Sequence, residues 1–125
     1  MIKNISSLKA PQAIGPYSQA IKANGLIFVS GQLPLDPLTG ILITGNIDIL
    51  TRQILINIES ILLAAESSLE NIIRTEIFLT NLNDFSLMNE EYEKHFKPPY
   101  PARQTIQVSK LPKDSPIEIS CIALA

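Results

Sequence analysis

Cysteine occurs once in the 125 residues, at Cys121, and histidine once, at His95. One cysteine excludes an internal disulfide and any cysteine-based zinc cluster. One histidine beside it leaves a transition-metal site short of its usual ligands, so no metal is expected. The thiol count suits a reducing compartment. Excess positive charge is also lacking: the formal net charge is -2, and no two basic residues are adjacent. A generic nucleic-acid surface needs clustered Lys and Arg, so nucleic acid is not an expected partner. No apolar run approaches the roughly 20 residues of a membrane-spanning helix. The N-terminal MIKNISSLKAPQAIGPYSQ has no continuous apolar core of the kind that marks a secretory leader. A soluble cytoplasmic protein, apart from any membrane, is expected. The motifs GxxxxGK[ST], GxGxxG, GxSxG and HExxH are all missing.

What is present reads as one globular domain over residues 1–125, with 46% hydrophobic and 18% charged residues. Residues 1–16 read as an extended lead-in. Two β-like runs, Tyr17 to Lys22 and Leu26 to Gln32, flank Ala23-Asn24-Gly25, and Asn-Gly between such runs is a hairpin signal. Pro34 to Gly40 is a turn or loop. From Ile47 to Ala65 the residues Ile47, Leu50, Ile54, Ile58, Ile61, Leu62 and Ala65 keep helical spacing, with Asn46 placed as a cap. After the turn Ser68 to Asn71, Ile73, Thr75, Ile77 and Leu79 alternate with polar neighbours as in a strand running to Thr80. A second helix from Asn83 to about Phe96 carries Phe85, Met88, Tyr92 and Phe96 on one stripe, and Pro98, Pro99 and Pro101 end it. Strands from Arg103 to Ser109 and from Ile117 to Leu124 follow, joined by residues 111–116. The order is therefore β-β-α-β-α-β-β, with two helices able to cover only one face of a five- or six-stranded sheet.

That layout leaves one sheet face bare. Yet Leu26/Phe28 oppose Ile27/Val29, and Ile122/Leu124 oppose Ile117/Ile119, so these strands are apolar on both sides. A subunit interface on the bare face is the expectation, and with it a homo-oligomer.

Few residues carry chemistry. Glu90, Glu91 and Glu93 read as a solvated helix face, and His95 as packing. Strand parity puts Cys121 with Ile117, Ile119 and Ala123, which makes it a small buried hydrophobe rather than a nucleophile. Glu118 is a carboxylate among apolar neighbours, and two readings stand: it pairs with a lysine or backbone amides, or it positions or activates a water. Arg103 follows the proline-stiffened PPYPA and offers a planar fork matched to a carboxylate. It shares strand parity with Thr105 and Gln107. The competing reading is a structural ion pair with Glu118 or Asp36. Gly31 ends a strand, either as a bulge or turn glycine or as a point of close backbone approach for a ligand.

The segments AIGPYSQA (13–20), FVSGQLPLDPLTG (28–40), NLNDFSLMNEEYEKHF (81–96), YPARQTIQV (100–108) and LPKDSPIEI (111–119) together resemble the imine/enamine deaminase family often called RidA or YjgF. The resemblance covers nearly the whole chain. It implies a chorismate-mutase-like α+β fold, a mixed β-sheet with two helices on one face, assembled as a homotrimer with active sites in clefts between subunits. It implies hydrolysis of 2-imino and 2-aminoenoic acids to 2-oxo acids and ammonia, without a cofactor. By position, Arg103 would clamp a small carboxylate substrate and Glu118 would hold or polarise the attacking water. Tyr17, Ser30, Gly31, Asn89 and Thr105 would line the cleft. This sequence departs from the family in three places. Thr105 stands where deaminases often have cysteine, Gln104 where a small residue is common, and Glu66 where glycine ends the helix. Arg103 and Glu118 together favour a deaminase over members lacking the arginine. Two alternatives are a non-enzymatic trimer binding small 2-oxo carboxylates and, disfavoured by the charge, a ribonuclease.

Overall fold

The computed structural model describes residues 1–125 and contains a six-stranded sheet. The strands are β1 (Lys3–Ile5), β2 (Ala20–Ala23), β3 (Leu26–Gln32), β4 (Ile72–Leu79), β5 (Ala102–Gln107) and β6 (Ile117–Leu124). Their order across the sheet is β1-β2-β3-β6-β4-β5. β4 and β5 are parallel, linked over helix α2 (Phe85–Glu93), and every other pairing is antiparallel. Helix α1 (Ile47–Ala64) links β3 to β4.

The hairpin forms where Asn-Gly predicts it. Ala23 pairs with Leu26, and the two residues between them have φ of 52° and 76°. Two successive positive φ angles fit the twist of flanking strands, which is why Asn-Gly recurs here. α1 buries every apolar position expected of it, with Leu55, Thr51 and Asn57 in addition. Asn46 occupies the cap position with extended backbone, but its side chain makes no capping bond. Ile54, Leu55, Ile58, Ile61 and Leu62 are wholly buried and pack with Ile27, Ile77, Leu79, Ile117 and Ile119 in one core. Each such side chain contributes about 1.5–3 kcal/mol of burial free energy. Cys121 lies in that core and burial pushes its thiol up to about 12, as expected of an inert hydrophobe.

Four expectations need correction. β1 lies within the segment read as an extended lead-in; only Ile5 of its three residues is buried, too little alternation to announce a strand. β2 begins at Ala20, so Tyr17 and Ser18 precede the sheet. In β4 the register against β6 shifts between Ile72 and Arg74. One residue is absorbed there, so Ile72 turns inward and Ile73 is 42% exposed, while Thr75, Ile77 and Leu79 are buried as predicted. Finally, Glu91 is not solvated. It lies on the Met88/Tyr92 side of α2, facing α1, and is only 3% exposed. Arg52 of α1 donates Nε and Nη2 to its two carboxylate oxygens at 3.2 and 3.1 Å, and His95 Nε2 lies 2.7 Å away. Chiefly through the Arg52 hydrogen bonds, its carboxyl is held down at about 2. A run of glutamates looks solvated in sequence; the helical period singles one of them out.

Both helices cover one face of the sheet. On the other, Phe28, Ile106 and Leu124 are exposed, beside Arg74, Glu76, Phe78, Ser120 and Ile122. No helix is long and apolar enough to cross a membrane.

Candidate functional site

The predicted site residues divide into two groups on opposite faces of the sheet. The first gathers at the end of β3. Ser30 Oγ donates to the Ser18 carbonyl at 2.6 Å, and its amide donates to the Gln19 carbonyl at 3.0 Å. These bonds tie the segment preceding β2 to β3, so that Tyr17, Gly31 and Glu118 line a cavity of about 540 Å³. Pro11, Gln12, Ile14, Leu38 and Lys113 are among the other residues of its wall.

Gly31 is there for a steric reason. A Cβ at this position would lie 2.7 Å from Glu118 Cδ and 2.8 Å from its Oε2. The absent side chain therefore lets the carboxylate lie against the β3 backbone, beside the register shift between Val29 and Gln32. The bulge reading of this glycine holds, and the group that approaches its backbone closely is the chain's own Glu118. Glu118 makes no ion pair, and burial raises its carboxyl above the ordinary value. It is therefore not the pairing partner of a lysine or of Arg103 within the chain.

The second group lies at the other edge. In the parallel ladder Arg103 pairs with Thr75, and Thr105 with Ile77, so both face the helices. Glu118 pairs with Phe78, on the open side. Arg103 Nη1 donates to Asn89 Oδ1 at 2.7 Å and makes no ion pair, which sets aside Glu118 and Asp36 as structural partners. The guanidinium lies over Tyr92 and Phe85, with 4.9 and 5.5 Å from Cζ to the ring centroids. Asn89, Tyr92, Glu93, Tyr100, Pro101 and Arg103 line a cavity of about 410 Å³. Thr105 Oγ1, farther along the same strand face, is buried without a hydrogen-bond partner.

Chemically, one group offers an anion-binding fork and the other a carboxylate in a partly apolar setting. Within one chain they cannot act on the same small molecule, because the sheet separates them. Parity grouped Arg103 with Thr105 and turned Glu118 away from Cys121, as the ladders have them, but did not reveal Lys113, Ile14 and Leu38 as cavity walls. Phe85 and Tyr92 read only as core; their spacing with Asn89 at i, i+4 and i+7 is the signal that could have found them.

The family model described as Endoribonuclease L-PSP matches residues 7–125. A RutC family protein of Pyrococcus horikoshii is 51% identical over 114 residues, covering 91% of this chain and 90% of the relative. The human 2-iminobutanoate/2-iminopropanoate deaminase is 44% identical over 120 residues, covering 96% and 88%. Among solved structures, a Rid-family protein of Yersinia pestis, YyfA, superposes with a TM-score of 0.97 at 45% identity, covering 100% of both chains. With a full-length fold match and a model covering nearly every residue, the chain belongs to the Endoribonuclease L-PSP family, the RidA/YjgF group that its own segments resemble.

Proposed function

We propose that this protein hydrolyses 2-imino and enamino acids, among them 2-aminoacrylate, 2-aminocrotonate and their imines, to 2-oxo acids and ammonia. One observation carries the reading. The anion-binding fork and the free carboxylate sit on opposite faces of one sheet, each lining a cavity, in a chain 44% identical to a human protein named for this reaction. Sites completed between copies of the chain, in a homotrimer, account for that separation. Arg103 of one copy then clamps the substrate carboxylate, with Asn89 and Thr105 beside it. Glu118 of its neighbour holds the attacking water, with Tyr17, Ser30 and Gly31 around it. A cytoplasmic location is part of the same reading.

The chemistry needs little from the protein. An imine carbon is already electrophilic, so no nucleophilic side chain is required, and much of the effect comes from holding water against a fixed substrate. Enamine tautomerisation and loss of ammonia both move protons, which one carboxylate and an ordered water can carry. RNA cleavage would call for clustered cations, whereas Arg103 is the only cation lining its cavity.

The test generates 2-aminoacrylate and 2-aminocrotonate in situ with a serine/threonine dehydratase and follows pyruvate or 2-oxobutanoate. The protein should accelerate release. Arg103→Ala should lower kcat/KM by roughly a hundredfold, and Arg103→Lys should recover only part, since an ammonium cannot form the two-pronged contact. No acceleration, or undiminished activity in Arg103→Ala, defeats this reading. Binding of 2-oxobutanoate without turnover would point instead to a carrier of small carboxylates.

A further inference from the structure

The floor beneath Arg103 is held by several bonded side chains. Phe85, Asn89 and Tyr92 lie along one stripe of α2, and all three meet the same guanidinium. Tyr92 is itself fixed. It is 4% exposed, its Oη shares a 2.8 Å hydrogen bond with Thr75 Oγ1, and its ring lies 4.4 Å from that of Phe96. Thr75 is wholly buried, and it is the residue paired with Arg103 across the β4–β5 ladder. The frame is thus closed: the strand neighbour of the arginine anchors the ring on which the arginine rests.

We infer that Tyr92, assisted by Phe85, is a positioning residue that holds the Arg103 guanidinium plane for carboxylate binding. The inference rests on the reading of Arg103 as the carboxylate clamp. An arginine on a strand end has several rotatable bonds, and ordering them when substrate arrives would cost affinity. Here two aromatic faces attract the cation through their quadrupoles. Asn89 fixes one nitrogen, and Nε and Nη2 have no partner in the chain. Those two donors are the pair that a carboxylate can engage side by side. The ring acts before the substrate is bound.

A residue that only fills the core would affect binding in proportion to its effect on stability. The comparison of Tyr92→Phe with Tyr92→Leu separates the two roles. The first keeps the aromatic face and loses the bond to Thr75; the second loses the face. Thermal midpoint, the Kd for 2-oxobutanoate, and kcat would be measured for both, for Phe85→Leu, and for Arg103→Ala. Tyr92→Phe should lower Tm but leave Kd within about twofold of wild type. Tyr92→Leu should raise Kd by about five- to thirtyfold, the size of a partly desolvated cation–π contact, with kcat at saturation little changed. Phe85→Leu should raise it less. An unchanged Kd in Tyr92→Leu, or an equal rise in Tyr92→Phe, overturns the inference. If Tyr92→Leu does not fold, Phe85→Leu decides: an unchanged Kd there overturns it. Full activity in Arg103→Ala would sink the clamp reading itself. Loss of activity there beside a normal Tyr92→Leu would sink only the positioning role.

Discussion

Position 118 places a carboxylate on the open face of β6, against the Gly31 backbone and without a counter-ion. Its carboxyl titrates above the ordinary value because burial disfavours the charged form. The sign for stability follows. The folded state binds this proton more tightly than the unfolded one, so folding is penalised once the pH exceeds the unfolded pKa and the group is made to ionise. Glu118→Gln removes that penalty, keeping shape and losing charge. At pH 7 it should raise Tm relative to wild type, with the gain vanishing near pH 4. In the deaminase assay the same variant should lose most of its kcat. Thermal melts across pH and initial rates check both, and a Tm that falls at pH 7 would show the charge to be stabilising. Much of the residue-scale chemistry was legible: parity put Arg103 with Thr105 and Gln107, and turned Glu118 away from Cys121 and the buried positions of its strand. What parity does not carry is the third dimension. No strand pattern says that the Phe85 and Tyr92 rings come to lie under an arginine, or that a glycine's missing side chain leaves room for a carboxylate.

Helix α1 shows where element-level reading is strong and where it stops. Its apolar period runs unbroken from Ile47 to Leu62, so its existence and buried face were plain. Its end depends on one dihedral angle. Glu66 adopts φ +61°, its amide donates to the Leu63 carbonyl at 3.0 Å, and the Ser67 amide donates to Leu62 at 2.8 Å. This is the Schellman arrangement, in which the left-handed position favours glycine. A side chain there costs about 1 kcal/mol against its Cβ, partly offset by the entropy a glycine adds to the unfolded chain. Glu66 is exposed and makes no ion pair, so nothing else is lost by replacing it. Glu66→Gly should raise Tm by a few degrees without altering deaminase activity, as differential scanning calorimetry and the coupled assay would establish. Elements with weak or interrupted patterns were harder to read. β1 is three residues long with one buried, and the irregularity at Ile72 shifts the inward position by one. Such a shift depends on the partner strand's register, which the local sequence does not encode.

At the scale of the whole molecule the helices protect one face of the sheet, leaving Phe28, Ile106 and Leu124 exposed on the other. The sequence signalled this by its two-sided apolar strands, though counting apolar residues cannot distinguish two copies from three. The same face carries the Glu118 half of the candidate site, with the Arg103 half on the other side of the sheet, so assembly and activity are coupled if each cleft needs two copies. Phe28 is the residue to perturb: it lies in central β3, is 43% exposed, and its neighbour on that face across the ladder is Ile122. Phe28→Asp should leave the monomer fold intact, because Phe28 is not a member of the buried core. It should nevertheless prevent association, since a carboxylate buried in an apolar contact loses its hydration without a partner. Analytical ultracentrifugation should find wild type near three times the 13.8 kDa chain mass and Phe28→Asp near a single chain mass. Deaminase activity should vanish in parallel. Mixing inactive Arg103→Ala with inactive Glu118→Gln then tests whether the cleft is shared. After subunit exchange, some interfaces pair an intact Arg103 with an intact Glu118 from different chains, and activity should return to a fraction of wild type. A wild-type monomer that is fully active, or a mixture that stays silent after proven exchange, would mean that each chain carries its own site.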